Sequence, residues 1–146
     1  MDSYAIANAI AVRLKATSPP SGKESIKEAT AELPDNISWF PTLLVSLPEP
    51  EYIEHTSRST AMSLTYQATL LLARHDGSER RAHLLHDWTT ALYKQLNGKL
   101  QLDLAYVSMA SIDDWRGGVV TYEGTEYDGL VLYVNVRIHE AGSYAA

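Results

Sequence analysis

The sequence predicts an α+β domain: a mostly antiparallel β-sheet of five to six strands with two α-helices packed on one face. Three observations carry this. Apolar residues recur at helical spacing over residues 2–16 and again over 76–99. They alternate with polar residues over 60–74 and 125–138. The connections between these segments are mostly short, which favours neighbouring strands that run antiparallel and helices confined to one side.

The first helix, DSYAIANAIAVRLKA, has Asp2 or Ser3 as its cap and Ile6, Ile10 and Leu14 on one stripe. Arg13 and Lys15 fall in its last turn, where cations complement the helix dipole, and Pro19-Pro20 end it. Residues 17–38 show no clear period. Prolines, a glycine and alternating charges make this a long loop, with a short helical turn around Ile26 to Leu33 as one reading. Loops of this length are uncommon inside compact domains; the segment reads either as a mobile surface loop or as a contact arm.

From Trp39 the pattern turns to strand, with Leu43, Val45 and Leu47 alternating with Thr42, Leu44 and Ser46 until Pro48 and Pro50 interrupt. In TAMSLTYQATLLLAR, Met62, Leu64, Tyr66, Ala68, Leu70 and Leu72 make one face; Ser63, Thr65, Gln67 and Thr69 make the other. The second helix carries Ala82, Leu85, Trp88, Leu92 and Leu96 as its apolar stripe, between Ser78 as N-cap and Gly98 as C-terminal glycine. Leu100, Leu102, Leu104 and Tyr106 then alternate as a strand, SIDDWRGG turns the chain, and TYEGTEYDGLVLYVNVRI closes it as a hairpin. Gly124 at the first central position suits a type II′ turn, which pairs Glu123 with Glu126 and Tyr122 with Tyr127. Beyond the turn, Leu130, Leu132, Val134, Val136 and Ile138 face the helices, and Val131, Tyr133, Asn135 and Arg137 face away.

Composition bounds the chemistry. The 146 residues make one domain, able to bury roughly 70% of the unfolded surface. With no cysteine, thiolate metal sites, thiol nucleophiles and disulfides are excluded. No apolar run reaches the ~20 residues of a membrane-spanning helix, and the opening around Asp2 lacks the basic region of a leader, so no membrane partner is expected. The net charge of −6 disfavours a dedicated nucleic-acid binder and suits either plain solubility or a surface that repels a phosphate backbone.

No catalytic constellation stands out. His83 and His86, three apart beside Asp87, are close enough to share a metal, with His55, His75 or His139 as a third ligand, but they flank the apolar stripe and nothing positions a third group. No serine sits in a Gly-x-Ser-x-Gly elbow, Asp113-Asp114 reads as a solvated turn, and Gly117-Gly118 lacks the lysine and helix of a phosphate loop. No cofactor is expected. What remains is surface: Trp115, which next to Arg116 reads either as an interface anchor or as a partly buried residue leading a strand, the glutamates of the hairpin tip, and the Tyr133-Asn135-Arg137 face with Thr65, Gln67 and Thr69. The mixture of aromatics, hydroxyls and amides on that face suits a protein contact, the wall of a wet channel or a plain solvent face.

Several strings, in order, resemble a phage family: the AIANAIAVRLKA helix, FPTLLVSLP, TYQATLLLAR, LLHDWTTALYKQLNG and above all DDWRGGVVTYEGTEYDGLVLYVNVRIHE, with Trp115-Arg116 and Tyr122, Gly124, Tyr127 and Gly129. From about Tyr4 to Glu140, with 17–38 least matched, they are similar to the tail terminator (tail completion) proteins of lambda-like siphophages, whose tails are long and non-contractile. The resemblance implies a structural virion protein and no enzyme. Such a protein forms a homo-oligomeric ring, typically a hexamer, on the end of the tail tube. There it stops polymerisation of the major tail tube protein and docks the head-completion (connector) protein of the neck. It is assembled in the bacterial host cytoplasm, and DNA passes through it without specific binding. Another neck component, such as a head-closure or adaptor protein, is the nearest alternative; a small metal-dependent enzyme is a more distant one. The expected contact residues are Tyr133, Asn135, Arg137, Trp115, Arg116, Glu123 and Glu126. As core truncations, Leu85→Ala and Leu132→Ala are each expected to cost ~2–5 kcal/mol, read by chemical denaturation.

Overall fold

The computed structural model describes residues 3–47, 53–55, 59–75, 82–97, 102, 104 and 107–141. Two helices, α1 (Ser3–Lys15) and α2 (Ala82–Asn97), lie on one face of a six-stranded sheet. The strands are β1 (Glu28–Thr30), β2 (Thr42–Ser46), β3 (Ile53–His55), β4 (Ser59–Arg74), β5 (Val107–Tyr122) and β6 (Thr125–Ala141). Their order across the sheet is β1-β2-β4-β6-β5, with β3 paired to the start of β4. All pairings are antiparallel except β1 with β2. The α+β class and the placement of both helices on one side are as the sequence predicts.

The core follows from the two periodicities. Ile6, Ile10 and Leu14 of α1 and Leu85, Trp88, Leu92 and Leu96 of α2 are buried against one parity of the sheet: Leu64, Tyr66, Ala68 and Leu70 on β4 and Leu130, Leu132, Val134, Val136 and Ile138 on β6. Each Leu, Ile or Val among them contributes about 1.5–3 kcal/mol by leaving water. Ala7 and Ala11, also buried, keep the helix surface low enough for close approach. Thr17 ends α1, its N–H and its hydroxyl both donating to Leu14 O, at 3.0 and 2.6 Å. The C-terminal turns of the helices are tied together: Arg13 Nε donates to Gln95 O and Gln95 Nε2 donates to Arg13 O, each at 2.9 Å. Among the described residues no helix is long and apolar enough to cross a membrane.

Four local expectations are corrected. SIDDWRGG does not turn the chain; it lies inside the 16-residue β5, where a register shift between Ile112 and Asp114 accommodates Asp113 as a bulge. The adjacent carboxylates read as a turn because a bulge uses the same polar, loop-like residues. Of the strand expected over 100–106, Leu102 is a turn residue with φ 53° and Leu104 is not in a strand, though both pack on the core; the rest of that stretch lies outside the described residues. The long loop contains β1 and no helical turn, and Ile26 inserts into the main core. The hairpin turn is centred one residue earlier than expected: Tyr122 pairs with Thr125, and Glu123 and Gly124, with φ 49° and 77°, form the loop. Two positive φ values make this a type I′ turn, whose twist matches the strands. Glu126 therefore stands opposite Thr121, and the glutamates do not oppose one another. The expected caps Ser78 and Gly98 and the interruption at Pro48 and Pro50 lie outside the described residues.

Gly129 fills a position that no side chain could. It sits opposite Leu71, beside the register shift between Leu71 and Ala73, and a Cβ there would collide with the Leu70 carbonyl oxygen. Backbone cannot yield as a flexible side chain does. Gly129→Ala is expected to destabilise the fold by ~2 kcal/mol or more, measured as a lower urea midpoint at unchanged slope.

Candidate functional site

The second face of the sheet divides into a covered half and an open half. The covered half lies toward the hairpin tip. Here Leu44, Leu71 and Tyr127 form a small apolar cluster with Ile37, flanked by Phe40, Val120 and Tyr122. Ile37 and Phe40 come from the long loop, so residues 31–41 form a strap across this end of the face. Phe40 and Tyr127 meet with ring centroids 5.9 Å apart, a spacing typical of favourable aromatic pairs. The Tyr122 hydroxyl donates to Pro34 O, and Thr42 Oγ1 donates to Trp39 O. The part of the expected contact arm nearest the sheet is thus a built element of the monomer.

The open half is polar and ordered by its own contacts. The Arg116 guanidinium lies over the Tyr133 ring, 5.9 Å from its centroid, at the distance of a cation–π pair. Asn135 Nδ2 donates to Ser63 Oγ at 2.8 Å, from β6 to β4. Thr65 stands in register with Asn135 and Gln67 with Tyr133, while Arg137 is exposed opposite Met109. Asp113 and Asp114, both exposed, bring negative charge beside Arg116. The result is a surface of rings, amides, hydroxyls and both signs of charge, held on three long strands.

Of the expected contact residues, the fold brings Tyr133, Asn135, Arg137 and Arg116 onto this face. Trp115 separates from them. Its strand position turns it to the helix side, where it packs on the core and flanks Gly117 together with Leu85. Glu123 and Glu126 are exposed at the tip, away from the open half. The glycines and tyrosines that carry the phage resemblance shape the hairpin: Gly124 makes its turn, Gly129 allows the close crossing, and Tyr122 and Tyr127 lie under the strap.

Of the histidines, His75 and His86 have described side chains, and they lie apart, His75 just after β4 and His86 on α2. His75 Nδ1 lies 2.7 Å from the buried Asp128 Oδ1, and its backbone N–H donates to Glu126 O, so it joins the end of β4 to β6. His86 and Asp87 are exposed on α2. Among the described residues no three histidine or carboxylate groups gather as metal ligands. Two open grooves flank α2, of about 370 Å³ beside Asp87, Thr90 and Lys94 and about 260 Å³ beside Phe40, Leu84 and Trp88; no histidine is among their described lining residues.

Sequence reasoning missed the strap. The signal was present in Leu70-Leu71-Leu72, where alternation breaks and both faces become apolar, and in Ile37 and Phe40, which have no polar reason to be apolar. Partial burial raises the Tyr122 hydroxyl pKa above its ordinary 10, and Glu123 and Asp35 add to the effect. A raised folded-state pKa gives stability that is fully present below the unfolded value and lost as pH rises through the folded one. Stability is therefore expected to fall as pH climbs past about 10, with a shallower fall in Tyr122→Phe, read by denaturant titration across that range.

No protein-family model matches the chain, and no curated protein matches it.

Proposed function

We propose that this chain is a structural virion protein: a tail terminator whose copies form a ring on the end of a siphophage tail tube, stop its polymerisation and join it to the head-completion protein of the neck. The observation that carries the reading is the open half of the second sheet face. Its side chains are already paired with one another, Arg116 with Tyr133 and Asn135 with Ser63, so little conformational freedom remains to be lost on contact. Tyrosine and arginine are the side chains over-represented where protein contacts concentrate their energy. The order of helix, strand and hairpin strings that resembles the tail terminators supports this choice of assembly. The acidic balance of the chain suits a ring through which DNA slides.

The test is a size measurement by light scattering over a range of concentrations, alone and with tubes of the major tail tube protein. The expected result is a ring-sized oligomer that binds tube ends and halts elongation. A strict monomer that never binds tubes overturns the proposal. Tyr133→Ala and Arg137→Ala are expected to leave thermal unfolding unchanged and to weaken capping; if they unfold the monomer instead, that face is structural.

A further inference from the structure

Among the described residues the sheet ends in two outer strands. β1 is one outer strand and β5 the other. Following the register across the sheet, Glu28 lies in one row with Thr42, Leu71, Gly129 and Gly118. Thr30 lies in another with Leu44, Thr69, Val131 and Arg116. Both edges therefore stand at the same height. Because β1 is parallel to β2 and every later step is antiparallel, β1 and β5 run in opposite directions. A second copy set beside the first in the same orientation presents its β1 antiparallel to β5.

The edge of β5 is closed over one part and open over another. At the bulge, Asp114 Oδ1 accepts the N–H of Trp115 at 2.8 Å, a side chain occupying a main-chain donor next to the register shift. Bulges and inserted charges of this kind stop strand addition. From Arg116 to Tyr122 the register is regular, there is no proline, and Gly117 and Gly118 present no side chain.

Charge agrees with this pairing. With rows aligned, the neighbour's Thr30 stands opposite Arg116, between Glu28 and Glu32. The segment leading into the neighbour's β1, with exposed Lys27 and Lys23, runs toward the tip that carries exposed Glu123 and Glu126. Lys27 already continues the rim, its N–H donating to Pro41 O at 2.9 Å. On one copy the tip and the lysine rim lie on opposite sides of the sheet. Lys27 Nζ pairs with Glu24 Oε2 at 3.0 Å, an exposed pair of the kind worth little in water, so its cation is available to a neighbour's carboxylates as well.

We infer that copies of this chain join head to tail by strand addition, β1 of one against Arg116–Tyr122 of the next, with Lys23 and Lys27 facing Glu123 and Glu126. This deepens the ring reading and rests on it. The experiment compares Lys23→Glu/Lys27→Glu with Glu123→Lys/Glu126→Lys, all at exposed positions, by light scattering at low salt, with thermal unfolding as the check on folding. Each double variant alone brings like charges together at every contact and is expected to elute as a monomer. An equimolar mixture brings opposite charges together at every contact and is expected to recover the parent oligomer. Amides of Gly117–Tyr122 are expected to exchange more slowly in the parent oligomer than in either variant. If both variants assemble as the parent does, if the mixture stays monomeric, or if those amides gain no protection, this contact is wrong while the ring reading stands. If the parent itself never assembles, the ring reading falls as well.

Discussion

The pairing of β4 with β6 is the constraint on which the rest depends. Over most of its length it assigns one parity of side chains to the helices and the other to the second face. That parity is decided at the narrow crossing of Gly129 and Leu70, where backbone passes close to backbone and the register shifts by one residue. A slip of one position would exchange Leu132 and Val134 for Tyr133 and Asn135, placing amide and phenol under the helices. The burial of an unpaired amide costs more than any local gain could offset. Both helices, the strap and the open face take their positions from this ladder.

The elements with the strongest periodicity were the legible ones. Ile6, Ile10 and Leu14 mark α1; Leu85, Trp88, Leu92 and Leu96 mark α2; and the alternation through Val134 and Val136 marks the inner face of β6. The features that were not legible depend on which residue occupies a bulge or a turn. Asp113 looked like a turn because bulges and turns draw on the same residue types. Sequence puts Gly124 at the first place of the hairpin loop because glycine is the residue most at ease with positive φ, yet Glu123 shares that conformation. Of the candidate surface, Tyr133, Asn135 and Arg137 could be placed by parity alone. Trp115 could not, because the bulge upstream resets the parity of its strand. The strap was hidden because a loop announces its fold through tertiary contacts alone.

The two halves of the second face do different work. The strap gives the tip half an apolar filling from Ile37 and Phe40, so the hairpin does not project as a bare ribbon. A two-stranded ribbon alone is marginal in water. The remaining half is left to interactions among its own polar side chains. The reciprocal bonds between Arg13 and Gln95 stiffen the opposite side of the molecule, joining the ends of the helices. The open face thus rests on a scaffold braced from behind.

The single parallel pair, β1 with β2, has a consequence of parity. In an open sheet of five strands along one path, strict alternation leaves the first and last strands pointing the same way. One parallel step inverts that relation, and the two borders become antiparallel complements. A translationally repeated tile can extend a sheet with antiparallel seams only if its borders have opposite polarity. The chain acquires that polarity by using residues 31–41 to carry it back to the start of β2 in the same direction as β1. The segment with the least periodicity in the sequence thus sets the boundary condition for how copies of the sheet could repeat.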